Sequence, residues 1–143
     1  MTASDLGFKL RHVGVAVPSL DATTELLRDL FGYQVVSGPF DDPIQKVTVN
    51  FLKTSDAEQA EIELIAPLTP DSPIASMLAK NGGGSYHLCF QTSDIEAALA
   101  HAVSLGCMVV ASPAPAVAFD GRKIAWLYTK SRQLFELVEA EPS

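Results

Sequence analysis

Four side chains with the chemistry to hold a divalent cation recur along this sequence in the order His12, Glu63, His87, Glu136. The second histidine follows the first by 75 positions, and the second glutamate follows the first by 73. Two neutral imidazoles and two carboxylates suit a six-coordinate ion. They leave two adjacent positions that a pair of substrate oxygens could take. Each residue alone has a plainer reading: His12 as a core histidine satisfied by a hydrogen bond, each glutamate as an outward residue of a half-exposed strand. Yet Glu63 stands in "EIELIAP" and Glu136 in "LFELVEA", runs apolar enough that burying a lone carboxylate would cost on the order of several kcal/mol. No lysine or arginine in the sequence is an obvious partner for either. Recurrence in register favours a shared ion.

Such a recurrence requires a repeated framework, and the chain supplies one. The segments "HVGVAVPSLDATTELLRDLFGYQVVS" from His12 and "HLCFQTSDIEAALAHAVSLGCMVVAS" from His87 run alike: apolar strand, polar turn, helix, glycine, second apolar strand. Ser19 and Ser93 stand where helix N-caps belong, and Ser93 with Glu96 has the spacing of a capping box. Gly32 and Gly106 suit the left-handed residue that stops a helix. The first helix is expected to bury Leu20, Leu27 and Phe31 with Leu26 and Leu30 beside them, and the second Ile95, Leu99, Ala102 and Val103. Further strand-like runs are "KVTVNFL" and "EIELIAP" in the first half and "KIAWLYT" and "LFELVEA" in the second. The pattern is two βαβββ modules in one domain over 1–143: module one about 8–67, a connector about 68–84, module two about 85–140. The connector should hold a short helix capped by Asp71 or Ser72, with Pro73 in its first turn, ahead of a flexible "NGGG".

Strand alternation then sets directions. His12 shares a face with Gly14 and Ala16, while Val13, Val15 and Val17 take the opposite face and belong under the helices. His87 falls with Cys89 and Gln91, and Leu88 and Phe90 play the valines' part. Both histidines thus project among mostly small neighbours, on a face with room for a ligand.

Bulk properties exclude several classes. At 143 residues, 48% apolar and 19% charged, the chain has the composition of a single globular core. A net charge of -7 without a stripe of lysine and arginine argues against nucleic acid and anionic membranes as partners. No apolar run is long enough to span a bilayer, and "MTASDLGFKL" lacks the basic and apolar regions of a signal peptide, so a cytoplasmic protein is expected. Cys89 and Cys107 lie in apolar contexts without CxxC spacing and are expected to be reduced core residues.

With paired modules and this His, Glu, His, Glu order, the chain resembles the vicinal oxygen chelate superfamily, and within it the methylmalonyl-CoA epimerase family most closely. The likeness runs through "RHVGVAVPSLDATTELLRDLFGY", "QKVTVNFL", "EIELIAPLTPDSPIASMLAKNGGG" and "DGRKIAWLYTKSRQLFELVE", with "PLTPDSPIA" its most epimerase-like piece. The resemblance implies an α+β fold in which the two modules form a curved, partly open eight-stranded mixed sheet around a metal-binding cavity. It implies that His12, Glu63, His87 and Glu136 bind a divalent metal ion, one of Co, Mn, Ni, Zn or Mg, with Glu136 also a catalytic base. It implies a homodimer, and it matches Lys123 and Lys130 to cations that meet a CoA phosphate. Where some epimerases carry a second glutamate, this chain has Val49 between Thr48 and Asn50. Glu61, two residues before Glu63 and on its face, is the available substitute, or else an exposed strand-end residue. Tyr86 before His87, and Tyr128 and Thr129 before Lys130, also depart from the family's usual residues.

The implied activity is a metal-dependent epimerase or isomerase acting through a metal-stabilised enolate on a 2-substituted acyl-CoA, with a small-molecule thioester as partner. A glyoxalase I-like lactoylglutathione lyase is a second reading. A non-catalytic binding or resistance protein on the same scaffold is a third. A stoichiometric metal separates the enzyme readings from the binder.

Overall fold

Alternating apolar runs become strands and amphipathic runs become helices in the computed structural model, which describes residues 2–56 and 58–141. The first half carries β1 (Lys9–Ala16), α1 (Leu20–Phe31), β2 (Gln34–Asp42), β3 (Val47–Lys53) and β4 (Glu61–Pro67). After α2 (Pro73–Asn81) come β5 (Gly84–Thr92), α3 (Ile95–Ser104), β6 (Met108–Pro115), β7 (Lys123–Tyr128) and β8 (Leu134–Glu139). The fold is α+β, with eight strands in mixed sheet and three α-helices among the described residues. The βαβββ order occurs twice.

The chain divides into two compact units, His12–Tyr86 and Met1–Arg11 with His87–Ser143. In the unit His12–Tyr86 the strand order is β2-β3-β4-β1, antiparallel through β2, β3 and β4, then parallel between β4 and β1. In the other unit the order β6-β7-β8-β5 repeats the scheme, with β8 and β5 parallel. A parallel pair cannot be joined by a tight turn, so in each half the chain leaves through a helix and returns through two hairpin strands.

Each helix covers one side of its own unit's strands. Under α1, Val17, Leu52, Leu64 and Ala66 are buried, with Val15, Leu20, Leu27 and Ile62 packed against them. Under α3 the cluster is Leu6, Ile95, Ala98, Leu99, Ala125, Leu127 and Leu137, with Phe8, Phe90 and Ala102 packed against it. Full burial of a side chain such as Leu64 contributes about 1.5–3 kcal/mol. Val15, Val17 and Phe90 lie where alternation put them, on the helix side.

Three expectations fail at the helices. In α1 Leu20 and Leu27 pack, but Leu26, Leu30 and Phe31 are 57–62% exposed. Leu26 and Leu30 lie off the packed stripe, and at the end of α1 it is Tyr33, just past the helix, and not Phe31 that packs against the cluster. In α3 Ala98 joins the buried stripe and Val103 is exposed. The N-cap of α3 is Asp94, whose Oδ1 accepts from Ala97 N at 3.0 Å, and not Ser93. Ser93 Oγ donates instead to Leu6 O at 3.1 Å, beside a buried Thr92 Oγ1 that donates to the same carbonyl at 2.8 Å. These bonds tie the N-terminal segment to α3's side of the molecule. Ser19 caps α1 as expected, accepting from Ala22 N at 3.2 Å.

The connector holds the expected short helix, and of the "NGGG" stretch Asn81 closes that helix and Gly84 opens β5. Ser72 is the N-cap of α2, Pro73 its first residue, and Gly82 its left-handed end. Gly83, at φ 114°, passes so close to β1 that a Cβ there would lie 2.5 Å from the Ala16 carbonyl oxygen. Lys46 Nζ and Asp71 Oδ2, 2.5 Å apart, clamp the connector to the β2–β3 turn, with Thr69 Oγ1 donating to Asp71 Oδ1 at 2.6 Å. Among the described residues no helix is long and apolar enough to cross a membrane.

Candidate metal centre

Each unit builds one buried histidine–glutamate pair. In the unit His12–Tyr86, parallel pairing of β1 with β4 sets Gly14 beside Glu63 and His12 beside Glu61, so residues 12, 61 and 63 share a face. The His12 Nε2 to Glu63 Oε1 distance is 3.1 Å, with His12 0% and Glu63 7% exposed. In the other unit, β5 beside β8 sets Cys89 next to Glu136, and His87 Nε2 lies 3.2 Å from Glu136 Oε1. His87 is 4% and Glu136 3% exposed. The same construction has been made twice.

A third strand adds an aromatic ring to each pair. Phe51 on β3 is the register partner of Glu63, and its ring meets His12 at 5.3 Å between centroids and 67° between planes. Trp126 on β7 is the register partner of Glu136 and meets His87 at 4.7 Å and 83°. Sequence reading passed over both rings. Their signal was present, because Phe51 and Trp126 are also 75 positions apart, the spacing of the histidines.

The donor set fits a divalent cation. All four residues are buried and each offers one ligand atom. Within each pair the nitrogen-to-oxygen distance matches the edge of an octahedron with bonds of about 2.1 Å, for which neighbouring ligand atoms lie about 3.0 Å apart. Neutral imidazole and carboxylate ligands suit Mn, Co, Ni or Zn better than they suit a soft ion. Two carboxylates taken this far out of water need a cation or strong donors to offset their desolvation.

The other candidates fall in different places. Glu61 opens β4, half-buried on the same face as Glu63. Val49, 4% exposed, lies across from Ile65, so this β3 position is an apolar wall with no carboxylate. Lys123 and Lys130 are exposed. Lys123 opens β7 and Lys130 lies two residues past its end, and an extended chain of that length separates their Cα atoms by roughly 20 Å, so a single phosphate cannot meet both. The stem of Lys130 lies over Gly106, where a Cβ would come 2.5 Å from Lys130 Cε. Cys89 is fully buried on β5, and neither it nor Cys107 forms a disulfide.

Residues 11–126 match the profile of the Glyoxalase/Bleomycin resistance protein/Dioxygenase superfamily. The chain is 37% identical over 123 residues to the ethylmalonyl-CoA/methylmalonyl-CoA epimerase of Cereibacter sphaeroides, covering 85% of this chain and 89% of that one. Its fold matches the crystal structure of methylmalonyl-CoA epimerase from Mycobacterium tuberculosis with a TM-score of 0.85 at 31% identity, over 99% of this chain and 93% of that one. It also matches a Streptomyces coelicolor methylmalonyl-CoA epimerase variant in complex with 2-nitronate-propionyl-CoA, with a TM-score of 0.80 at 32% identity, over 94% of this chain and 98% of that one.

Proposed function

The chain belongs to the Glyoxalase/Bleomycin resistance protein/Dioxygenase superfamily, and on that premise we propose that it is an isomerase that epimerises a 2-substituted acyl-CoA of the methylmalonyl-CoA type. The observation that carries the reading is the buried histidine–glutamate pair built twice, at equivalent positions of a repeated framework, in a chain so similar to epimerases. His12, Glu63, His87 and Glu136 together hold one divalent metal ion. Such an ion, when bound, withdraws electron density from an acyl oxygen and lowers the cost of negative charge there.

The chain's own residues do the rest. Inversion at the α carbon needs a proton removed on one face and one delivered on the other, hence two acid/base groups. Glu136 is one. Glu61, on the face of His12 and Glu63, is the other, because the wall at Val49 offers no carboxylate. The proton leaves the carbon to one carboxylate, and the second carboxylic acid returns a proton to the opposite face. Lys123 and Lys130 meet separate anionic groups of the CoA portion. The protein acts in the cytoplasm as a homodimer, a part of the proposal that rests on family resemblance.

The test is isotope exchange. Metal-loaded protein in deuterium oxide should wash deuterium into the α carbon of methylmalonyl-CoA, followed by mass spectrometry. Metal-loaded protein that leaves the α hydrogen in place, on this thioester and on ethylmalonyl-CoA, contradicts the assignment and leaves a binding protein on the same fold.

A further inference from the structure

We propose that Phe51 and Trp126 are positioning residues that fix the ring planes of His12 and His87, each holding Nε2 toward its glutamate. The inference rests on the metal-site reading and adds to it the residues that orient the ligands.

An imidazole on a strand has a broad, nearly two-fold torsion at its second side-chain bond, so packing must choose which edge it presents. Turning the ring over exchanges a nitrogen for a carbon at the position facing Glu63 or Glu136. In both halves a neighbouring strand supplies the restraint. The Phe51 ring stands edge to face with His12 at 67°, and the Trp126 indole with His87 at 83°. At 4.7–5.3 Å between centroids, a ring cannot turn over without moving its aromatic neighbour.

Placement argues for the same role. Phe51 and Trp126 are the cross-strand partners of Glu63 and Glu136, so each carboxylate and the ring that aims its histidine come from directly opposed residues. The arrangement recurs with different side chains. A phenyl in one half and an indole in the other preserve a flat, rigid wall while their volume and polarity differ, which generic core filling would not require. Phe51 is itself held by Phe40, 6.5 Å away at 63°.

The experiment compares Trp126→Phe with Trp126→Leu, and repeats the loss in the other half with Phe51→Leu. Cobalt affinity by titration calorimetry should stay within about threefold of wild type for Trp126→Phe. It should fall about 10–100-fold for either leucine variant, the range seen when a partner that orients a metal ligand is lost. The visible spectrum of bound cobalt should change in the leucine variants and be restored by Trp126→Phe. A leucine variant that binds cobalt as wild type does, or a Trp126→Phe variant that loses as much as Trp126→Leu, overturns the proposal. Proton NMR of the metal-free protein separates this inference from the metal reading. Wild type should show Overhauser contacts between the His87 ring and Trp126 from one ring edge, and Trp126→Phe should keep a single set to the new ring. Contacts from both ring edges in wild type overturn positioning even if cobalt binds, and a single set in a wild-type protein that takes up no cobalt refutes the metal site while positioning stands.

Discussion

Glu61 and Glu136 divide the proposed chemistry at the residue scale, and a single change separates them. Glu61→Gln should retain metal and fold while α-proton exchange falls by about 10²–10⁴, the usual contribution of a placed acid/base group. Unchanged exchange would return Glu61 to an ordinary strand-end residue. Asp71 offers a titration without catalysis. Its hydrogen bond to Lys46, then that to Thr69, lowers its pKa from 3.8 to about 2. A depressed carboxylate contributes its stabilisation above the unfolded value, so the clamp is intact above about pH 4 and is lost as pH falls through about 2. Carbon-detected NMR should give Asp71 a midpoint near 2, and Lys46→Met should move it back toward 3.8. A midpoint that ignores Lys46→Met would contradict the clamp. The burial of His12, Glu63, His87 and Glu136 was legible from sequence because alternation, apolar flanks and the repeat pointed the same way. Phe51 and Trp126 were passed over, since an aromatic in a strand is also ordinary core and their 75-residue spacing gains meaning only from their closeness to the histidines.

Elements carry their own tests. Asp94→Ala should cost about 1 kcal/mol in denaturant unfolding through loss of the α3 cap, whereas a capping role for Ser93 would put that loss on Ser93→Ala instead. The sequence placed the cap one residue early because Ser93 and Asp94 are both good caps. What decides between them is the Leu6 carbonyl, 87 residues away in sequence, which takes the serine hydroxyl. Gly32 and Gly83 make a second contrast. Both have positive φ, but a Cβ on Gly32 meets nothing within 4 Å, while one on Gly83 lies 2.5 Å from backbone oxygen. Gly32→Ala should cost about 1 kcal/mol, the backbone strain alone, and Gly83→Ala clearly more by thermal unfolding. Equal losses would contradict the close approach of the connector to β1. The positions of strands and helices along the chain were readable because each is set by local pattern. The exposure of Leu26, Leu30 and Phe31 was not, because periodicity names a helix face without saying which aromatic at its end, Phe31 or Tyr33, takes the core.

At the scale of the whole molecule, the proposed function assigns His12, Glu63, His87 and Glu136 to a single ion. Each unit by itself holds one imidazole and one carboxylate, a pair too few to grip a labile ion firmly. The repeat could be seen in the sequence because both copies kept the same order of strand, helix and strand. The consequence of duplication for binding is a matter of count, and metal stoichiometry measures it directly. Purified protein loaded with cobalt or manganese and analysed by plasma mass spectrometry should carry one ion per chain. Either His12→Ala or His87→Ala should reduce that to none while circular dichroism stays that of the folded protein. Two ions per chain in wild type, or half the metal surviving when a single half is changed, would contradict the account.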